Sequence, residues 1–384
     1  MTNWQTKRLG ELTEKIGSGV TPRGGSDAFT DSGVLFIRSQ NIKNNRVDTT
    51  DKKYIPNSID EKMISSRVFY EDILYNITGA SIGRSALYDL DEPANVNQHV
   101  CIIRLKNDNP KFIQYALSSS VGARNLWGFQ AGGNREGLNF KQLASFKVSL
   151  PEKPEQERIV GVLEVWDEYI EQLERKIALK EQLKIALMQQ IFLRKLRLPG
   201  YVNNWREIKL EEAANIERGK SLTSNELVNG LYPVIAGGKT SPYCHAEYTH
   251  EDVITVSASG ANAGYVAYQP RKIWASDCSV AYARTGDYET LYIYYWLYFM
   301  QDRIYGLQTG GAQPHVQPSD LRRLKISVPD KEGQLEIIAL LGSVDLEINS
   351  LEKMKQQLLL QKKYLLQNLI TGKIRTPENM EITR

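Results

Sequence analysis

The strongest constraint on this chain is a heptad pattern that occurs twice. From Glu155 to Leu196, apolar or long-stemmed residues fall at alternating spacings of four and three: Ile159, Leu163, Trp166, Ile170, Leu173, Ile177, Lys180, Lys184, Leu187, Ile191. The segment Gly333 to Ile374 repeats it with Ile337, Leu341, Val344, Ile348, Leu351, Lys355, Leu358, Lys362, Leu365 and Leu369. Such spacing marks a helix with a narrow seam for a partner helix. At ~1.5 Å rise per residue, about 40 residues make a rod of roughly 60 Å, and two rods in one chain bury their stripes most readily on each other. An intramolecular coiled coil is expected.

The repetition extends beyond the helices, at an offset of roughly 180 to 200 residues. Trp4 with Leu9 corresponds to Trp205 with Leu210, and the turns Ile16-Gly-Ser-Gly19 and Ile216-Glu-Arg-Gly219 follow. Asp72-Ile-Leu74 and Asp252-Val-Ile254 read as strands feeding Gly79-Ala-Ser-Ile-Gly83 and Gly260-Ala-Asn-Ala-Gly264. Asn97-Gln-His-Val100 parallels Asp277-Cys-Ser-Val280, and Phe112–Leu117 parallels Tyr292–Leu297 as a short buried helix. After polar loops at Gly132-Gly133 and Gly310-Gly311, period-two alternation from Leu143 to Leu150 and from Leu321 to Val328 reads as a strand stopped by Pro151 or Pro329. Pro154 with Glu155 and Glu157 suits a helix start, and Lys195, Arg197 and Leu198-Pro199-Gly200 suit its end. The predicted architecture is α/β (α+β). Mixed domains at residues 1–153 and 199–331 alternate with long helices at 154–198 and 332–375, and a tail covers 376–384. A pseudo-two-fold internal repeat packed helix to helix makes the pair an antiparallel intramolecular coiled coil with one domain at each end. Such an object measures a distance, and its natural counterpart has its own two-fold symmetry, as a DNA duplex does.

Composition removes several classes. No apolar run approaches the ~20 residues that cross a bilayer, and the opening MTNWQTKRLGEL lacks the apolar core of a signal peptide, so a cytoplasmic protein with no membrane association is expected. Cys101, Cys244 and Cys278 are far apart and odd in number, which argues for free thiols. A net charge of +3, from 48 basic and 45 acidic residues, neither announces nor excludes nucleic-acid binding.

The ordered set of features resembles the specificity (S) subunits of type I restriction–modification systems over nearly the whole chain. It rests on Leu187-Met-Gln-Gln-Ile191 and LLQNLITGKIR from Leu365 to Arg375, the paired Trp4 and Trp205 openings, and the entries Pro154, Gln156, Ile159 and Pro329, Gln334, Ile337. The resemblance implies two target-recognition domains, each reading half of a split sequence in double-stranded DNA. It implies helices that act as spacer and as docking surface for two methyltransferase (M) subunits, with motor-nuclease (R) subunits joining for cleavage. The S subunit itself is then non-catalytic and holds no cofactor, S-adenosylmethionine being expected on the methyltransferase. The loops Ala131–Gly137 and Thr309–His315 differ in sequence, as different half-sites would need.

The residues agree that chemistry lies elsewhere. An adenine methyltransferase needs a glycine-rich cofactor loop and an Asn- or Asp-Pro-Pro-aromatic tetrad, and neither occurs. Gly238-Lys239-Thr240 ends like a phosphate-binding loop, but Pro233 stands where its first glycine belongs. Cys244, His245 and His250 lack paired metal-ligand spacing and read as a polar loop.

For DNA contact, Gly79, Ser81, Gly83 and Arg84, with Gly260, Asn262 and Gly264 as repeat partners, combine close backbone approach with nearby polar groups. A turn that needs glycine only for its backbone angles is the competing reading. Asn134 and Arg135, with Gln313 and His315, carry side chains suited to purine edges; Arg38, Ser39, Gln40 and Asn41 form a third cluster, with Lys239 and Thr240 its weaker counterpart. Ordinary solvated surface explains each equally well. Lys180, Lys184, Lys355 and Lys362 interrupt the seams, either snorkelling or marking where the rods part. Leu179, Leu183, Leu359 and Leu366 are partner surface or a wider intramolecular core. The rival to DNA recognition is a coiled-coil assembly scaffold without sequence specificity, and a DNA-modifying enzyme stands third.

Overall fold

A computed structural model describes residues 4–130, 137–196, 205–238, 241–311 and 313–380. The chain divides into two compact units, one running to Gln172 and resuming at Lys355, the other spanning Leu173–Met354. Two 40-residue helices, Lys153–Phe192 and Lys331–Ile370, each contribute one segment to either unit.

Within the first unit the opening half of the first long helix lies beside the closing half of the second. Glu155 pairs with Arg375 and Asp167 with Lys362, so ascending numbers on one segment meet descending numbers on the other and the two run antiparallel. In the second unit Lys180 pairs with Glu347 at 2.7 Å and Lys184 with Asp345 at 2.6 Å, again antiparallel. The seam is buried at Ile159, Leu163, Ile170, Leu173, Ile177 and Ile191 on the first helix, and at Ile337, Leu341, Val344, Leu351 and Leu369 on the second.

Each unit hangs a mixed domain on its helix pair, and the sheets share one topology. A four-stranded antiparallel sheet has the order Thr13–Ser18, Val100–Leu105, Ile73–Asn76, Ser85–Leu87 in the first unit. In the second it runs Ala214–Arg218, Cys278–Ala283, Val253–Ser257, Val266–Gln269. A second sheet pairs Val34–Ile37 in parallel with Ala94–Val96, as Tyr232–Ile235 pairs with Trp274–Ala275. A two-stranded ribbon joins Gln5–Arg8 to Lys147–Leu150, and Arg206–Lys209 to Lys325–Val328. These last strands are shorter than the alternation predicts. Leu143 and Leu321 sit on one-turn helices, Phe140–Ala144 and Pro318–Arg322, because capping boxes at Asn139/Gln142 and Gln317/Asp320 start a helical turn first.

The predicted short helices are Pro110–Ser118 and Thr290–Phe299, and they seat each domain on the long helices. Tyr115 donates its hydroxyl to Asp167 at 2.6 Å, and Lys362 closes on the same carboxylate. In the other unit Tyr295 donates to Asp345 at 2.8 Å, and Lys184 completes the triad. The seam lysines Lys184 and Lys362 are 9% and 8% exposed, so they are the cationic members of a duplicated buried clasp, with no room to snorkel. A second repeated contact sits at the helix entries. Gln156 accepts from the backbone of Asn109 and Gln334 from that of Glu289, each at 3.0 Å, while their amides donate to Pro151 and Pro329.

Candidate nucleic-acid interface

Strand direction decides which loops meet. In the first unit Ser18 closes one strand opposite Cys101, and Asn76 closes another opposite Val100, so the segments after Ser18, after Asn76 and before Val100 emerge at one end of the sheet. The parallel strands Val34–Ile37 and Ala94–Val96 deliver Arg38 and Asn97 to the same end, since Ala94–Val96 runs through 97–99 directly into Val100.

Asn76, wholly buried, ties two of these loops together, donating to the Ser39 carbonyl at 2.8 Å and to Ser81 Oγ at 3.0 Å. The sequence clusters around Arg38–Asn41 and Gly79–Arg84 are therefore one patch. The loop carrying Gly137 joins them, because Leu138 donates to the Ile77 carbonyl at 2.8 Å and Gly137 bridges to Thr78. Gly79 holds φ +71° and nothing lies within 4 Å of where a Cβ would stand, so its backbone is open to an approaching ligand. Arg84 is exposed. Arg38 is held by Asp51, its Nη2 donating to the carboxylate at 2.9 Å and to the backbone carbonyl at 3.0 Å. Asn41 is 5% exposed, accepts from the Arg38 amide and donates to the Asp48 and Asp51 carbonyls. It shapes the turn, and its amide is already satisfied.

The second unit builds the same edge from different side chains. Gly260 has φ +78° with open space around a Cβ, and its amide donates to the Pro314 carbonyl at 3.0 Å. Val316 donates to the Ala258 carbonyl at 3.0 Å, Ser259 bridges to His315, and Thr309 and His315 exchange backbone bonds. The loops holding Gly260, Asn262, Gln313 and His315 thus lie together, with Gln313 exposed and Asn262 and His315 half-buried. Asn134, Arg135 and Lys239 lie outside the described residues.

Two side chains that motif reading passes over stand in these edges. His99 Nδ1 is 2.6 Å from Thr78 Oγ1, and Asp277 accepts from Ser259 Oγ. Their signal in the sequence was position only, a polar residue immediately before the apolar run of a central strand. Trp127 is also exposed, next to Leu126, whose Cδ2 would lie 3.0 Å from a Cβ at Gly83.

On the helices, Leu179, Leu183 and Leu359 are exposed at 65%, 43% and 40%, whereas Leu366 is 8% exposed and packs in the first unit's core with Ile159 and Leu163. Leu366 is a core residue, and as partner surface it is corrected: the apolar face has rotated onto the domain by the last turns of the helix. His245, His250, Cys101 and Cys278 serve the fold. His245 Nδ1 accepts from the Val228 amide at 3.1 Å and its ring meets Trp274 edge-on, while His250 Nε2 sits 2.9 Å from Glu217. Burial pushes the thiols of Cys101 and Cys278 up to about 12, which leaves them protonated and unreactive at neutral pH. Among the described residues no group of three or more potential ligands could hold a metal ion, and no helix is long and apolar enough to cross a membrane.

Comparison with known proteins meets this geometry from the other side. The family model of the type I restriction modification DNA specificity domain matches residues 1–184 and again 203–361. The putative type I restriction enzyme MjaX specificity subunit of Methanocaldococcus jannaschii is 23% identical over 404 aligned positions, covering 97% of this chain and 94% of that protein. The putative type I specificity subunit S.MgeORF438P of Mycoplasma genitalium is 26% identical over 211 positions, 52% of this chain and 54% of its own length. Among solved structures, the type I restriction–modification S subunit from M. genitalium superposes with a TM-score of 0.63 at 19% identity, covering 96% of each chain. A chain from a study of complex assembly and conformational transition of the type I R-M system superposes at 0.58 with 17% identity, covering 97% of this chain and 99% of that one. With the specificity-domain model matched twice, once over each copy of the repeated domain and much of the long helix that follows it, the chain belongs to the family of type I restriction–modification specificity subunits.

Proposed function

We propose that this chain is the sequence-reading subunit of a type I restriction–modification complex, in which each mixed domain, residues 1–153 and 199–331, reads one half of a bipartite site in double-stranded DNA. The two long helices set the unread gap, and their exposed leucines Leu179, Leu183 and Leu359 face two methyltransferase subunits; motor-nuclease subunits complete the assembly. The chain performs no bond-making itself and works in the cytoplasm. S-adenosylmethionine belongs to the methyltransferase partner.

The observation that carries this reading is the twofold convergence of loops. In each unit the ends of two sheets bring an open glycine, a hydroxyl and polar side chains to one edge, the composition suited to phosphate approach and base-edge contact together. Arg84, Gly79, Ser39 and Ser81 supply one edge, and Gly260, Asn262, Gln313 and His315 the other. Arg38, locked on Asp51, supports its loop.

The test is to produce the chain with its methyltransferase partner and sequence the modified DNA. A split motif with a fixed gap is expected, and inserting one heptad into both helices lengthens the gap while both half-sites persist. Modification without sequence preference would favour a scaffold that only assembles proteins.

A further inference from the structure

The internal repeat permits a comparison that needs no second protein: the same structural position can be read in both domains. Strand register defines it. Val100 lies opposite Asn76, and Cys278 lies opposite Ser257, so the residues just before them, His99 and Asp277, are counterparts. Their backbones agree, since Ile77 donates to the His99 carbonyl at 3.0 Å and Ala258 to the Asp277 carbonyl at 3.1 Å. Matching motifs by sequence instead aligns Asp277 with Asn97, two residues away.

The side chains complete the equivalence. Thr78 and Ser259 each precede an open glycine, Gly79 or Gly260, and each bridges to the domain's last polar loop, at Gly137 or His315. The Thr78 hydroxyl is bonded to His99 Nδ1 and the Ser259 hydroxyl to Asp277 Oδ2. One hydroxyl tether therefore orients an imidazole in the first domain and a carboxylate in the second. Both are half-buried, and neither His99 Nε2 nor Asp277 Oδ1 has a hydrogen-bond partner among the described residues. A duplicated tether holding two different polar groups at the loop edge is a selector whose setting differs between the halves.

We propose that His99 and Asp277 are the corresponding base-reading side chains of the two domains. We assign Thr78 as the donor to Nδ1, which puts the proton of His99 on Nε2, a donor for the N7 or O6 acceptor of guanine. Asp277 has no donor to offer; its free Oδ1 accepts from an exocyclic amine, N4 of cytosine or N6 of adenine. Thr78 and Ser259 are positioning residues. This inference rests on the function proposed above, and the experiment separates the two.

The chain is produced with its methyltransferase partner, and modified genomic DNA is sequenced for wild type, His99→Leu and Asp277→Asn. Featureless modification by the wild type overturns both proposals. Given a split wild-type motif, Asp277→Asn relaxes one base position in one half-site, discrimination there falling roughly tenfold, while the other half is read as before. His99→Leu does the same in the opposite half. Motifs unchanged in both variants overturn the assignment and leave the general function standing. The unaltered half reports that the variant has folded. Where a variant abolishes modification, anisotropy titration of the purified complex against duplexes carrying single substitutions gives the same ratios. Loss spread evenly over all positions then overturns the assignment, and loss confined to one position supports it.

Discussion

The clasp of Tyr115, Asp167 and Lys362 offers a quantitative test of what seats a mixed domain on its helices. Asp167→Ala removes the shared carboxylate and strands two donors, the Tyr115 hydroxyl and the Lys362 ammonium, whose side chain is 10% exposed. Breaking a buried pair by deleting one partner costs ~3–5 kcal/mol, and an abandoned hydroxyl accounts for about 1 of that. The carboxylate keeps 23% exposure, and the ammonium still lies 5.6 Å from the centre of the Tyr115 ring. Both soften the loss, so about 3 kcal/mol is expected. Urea denaturation measures it, and 0.5 M salt should change the value little because the pair is screened from solvent. Adding Lys362→Met removes the stranded charge and should recover about 2 kcal/mol, a coupling that a double-mutant cycle reads directly. A cost for Asp167→Ala below ~1 kcal/mol, the worth of an exposed pair, refutes the reasoning, as does a double variant no better than the sum of its parts. Asp345→Ala with Lys184→Met repeats the test in the second unit.

Two further outcomes follow from burial. Leu366→Ala should cost ~2–4 kcal/mol by the same urea assay, whereas Leu359→Ala should stay within about 0.5 kcal/mol yet weaken co-purification of the methyltransferase. Cys101 and Cys278, raised by burial from 9.0 to about 12, stay protonated in the fold while their unfolded counterparts ionise. The stability they contribute is full below pH 9.0 and is lost as pH rises through about 12, at up to ~1.4 kcal/mol per thiol per pH unit. A Cys101→Ala, Cys278→Ala variant should lose less stability than wild type between those limits.

The long helices and the duplicated domain were legible because each rests on a signal that accumulates: a seam over many turns, and glycines, tryptophans and prolines in the same order twice. Register was not. A strand's pairing is set by tertiary partners, and Cys278-Ser-Val280 slides by two residues against Val100 without changing which face its side chains take, so His99 and Asp277 went unmatched. Lys184 and Lys362 were visible as seam defects, but their carboxylates lie on the other long helix and the hydroxyls on a third element, 50 residues or more away in sequence. Leu366 joined the core because a straight helix drifts from a 3.5-residue seam and its last turns meet the domain as well as the facing helix. Asn41 was a polar residue of the right chemistry whose bonds were already committed to its own turn.

The two halves of the chain divide into what they share and what they do not. Tyrosine, aspartate and lysine recur at the clasp, and a glutamine recurs at each helix entry, although the domains differ at most positions between. Those residues hold a domain on its helices, a task identical in both units. At the loop edge the glycine, the hydroxyl and the bridge to the last loop recur, but the tethered group changes from imidazole to carboxylate. A frame that must seat either domain tolerates little change where domain meets helix, because a buried ion pair with one altered member is worse than none. The edge tolerates change because its polar groups are only half-buried, and water satisfies whatever the tether presents until a ligand replaces it. The same physical difference that makes the clasp rigid makes the edge variable, and the side chains that differ between the two domains stand where substitution leaves the fold intact.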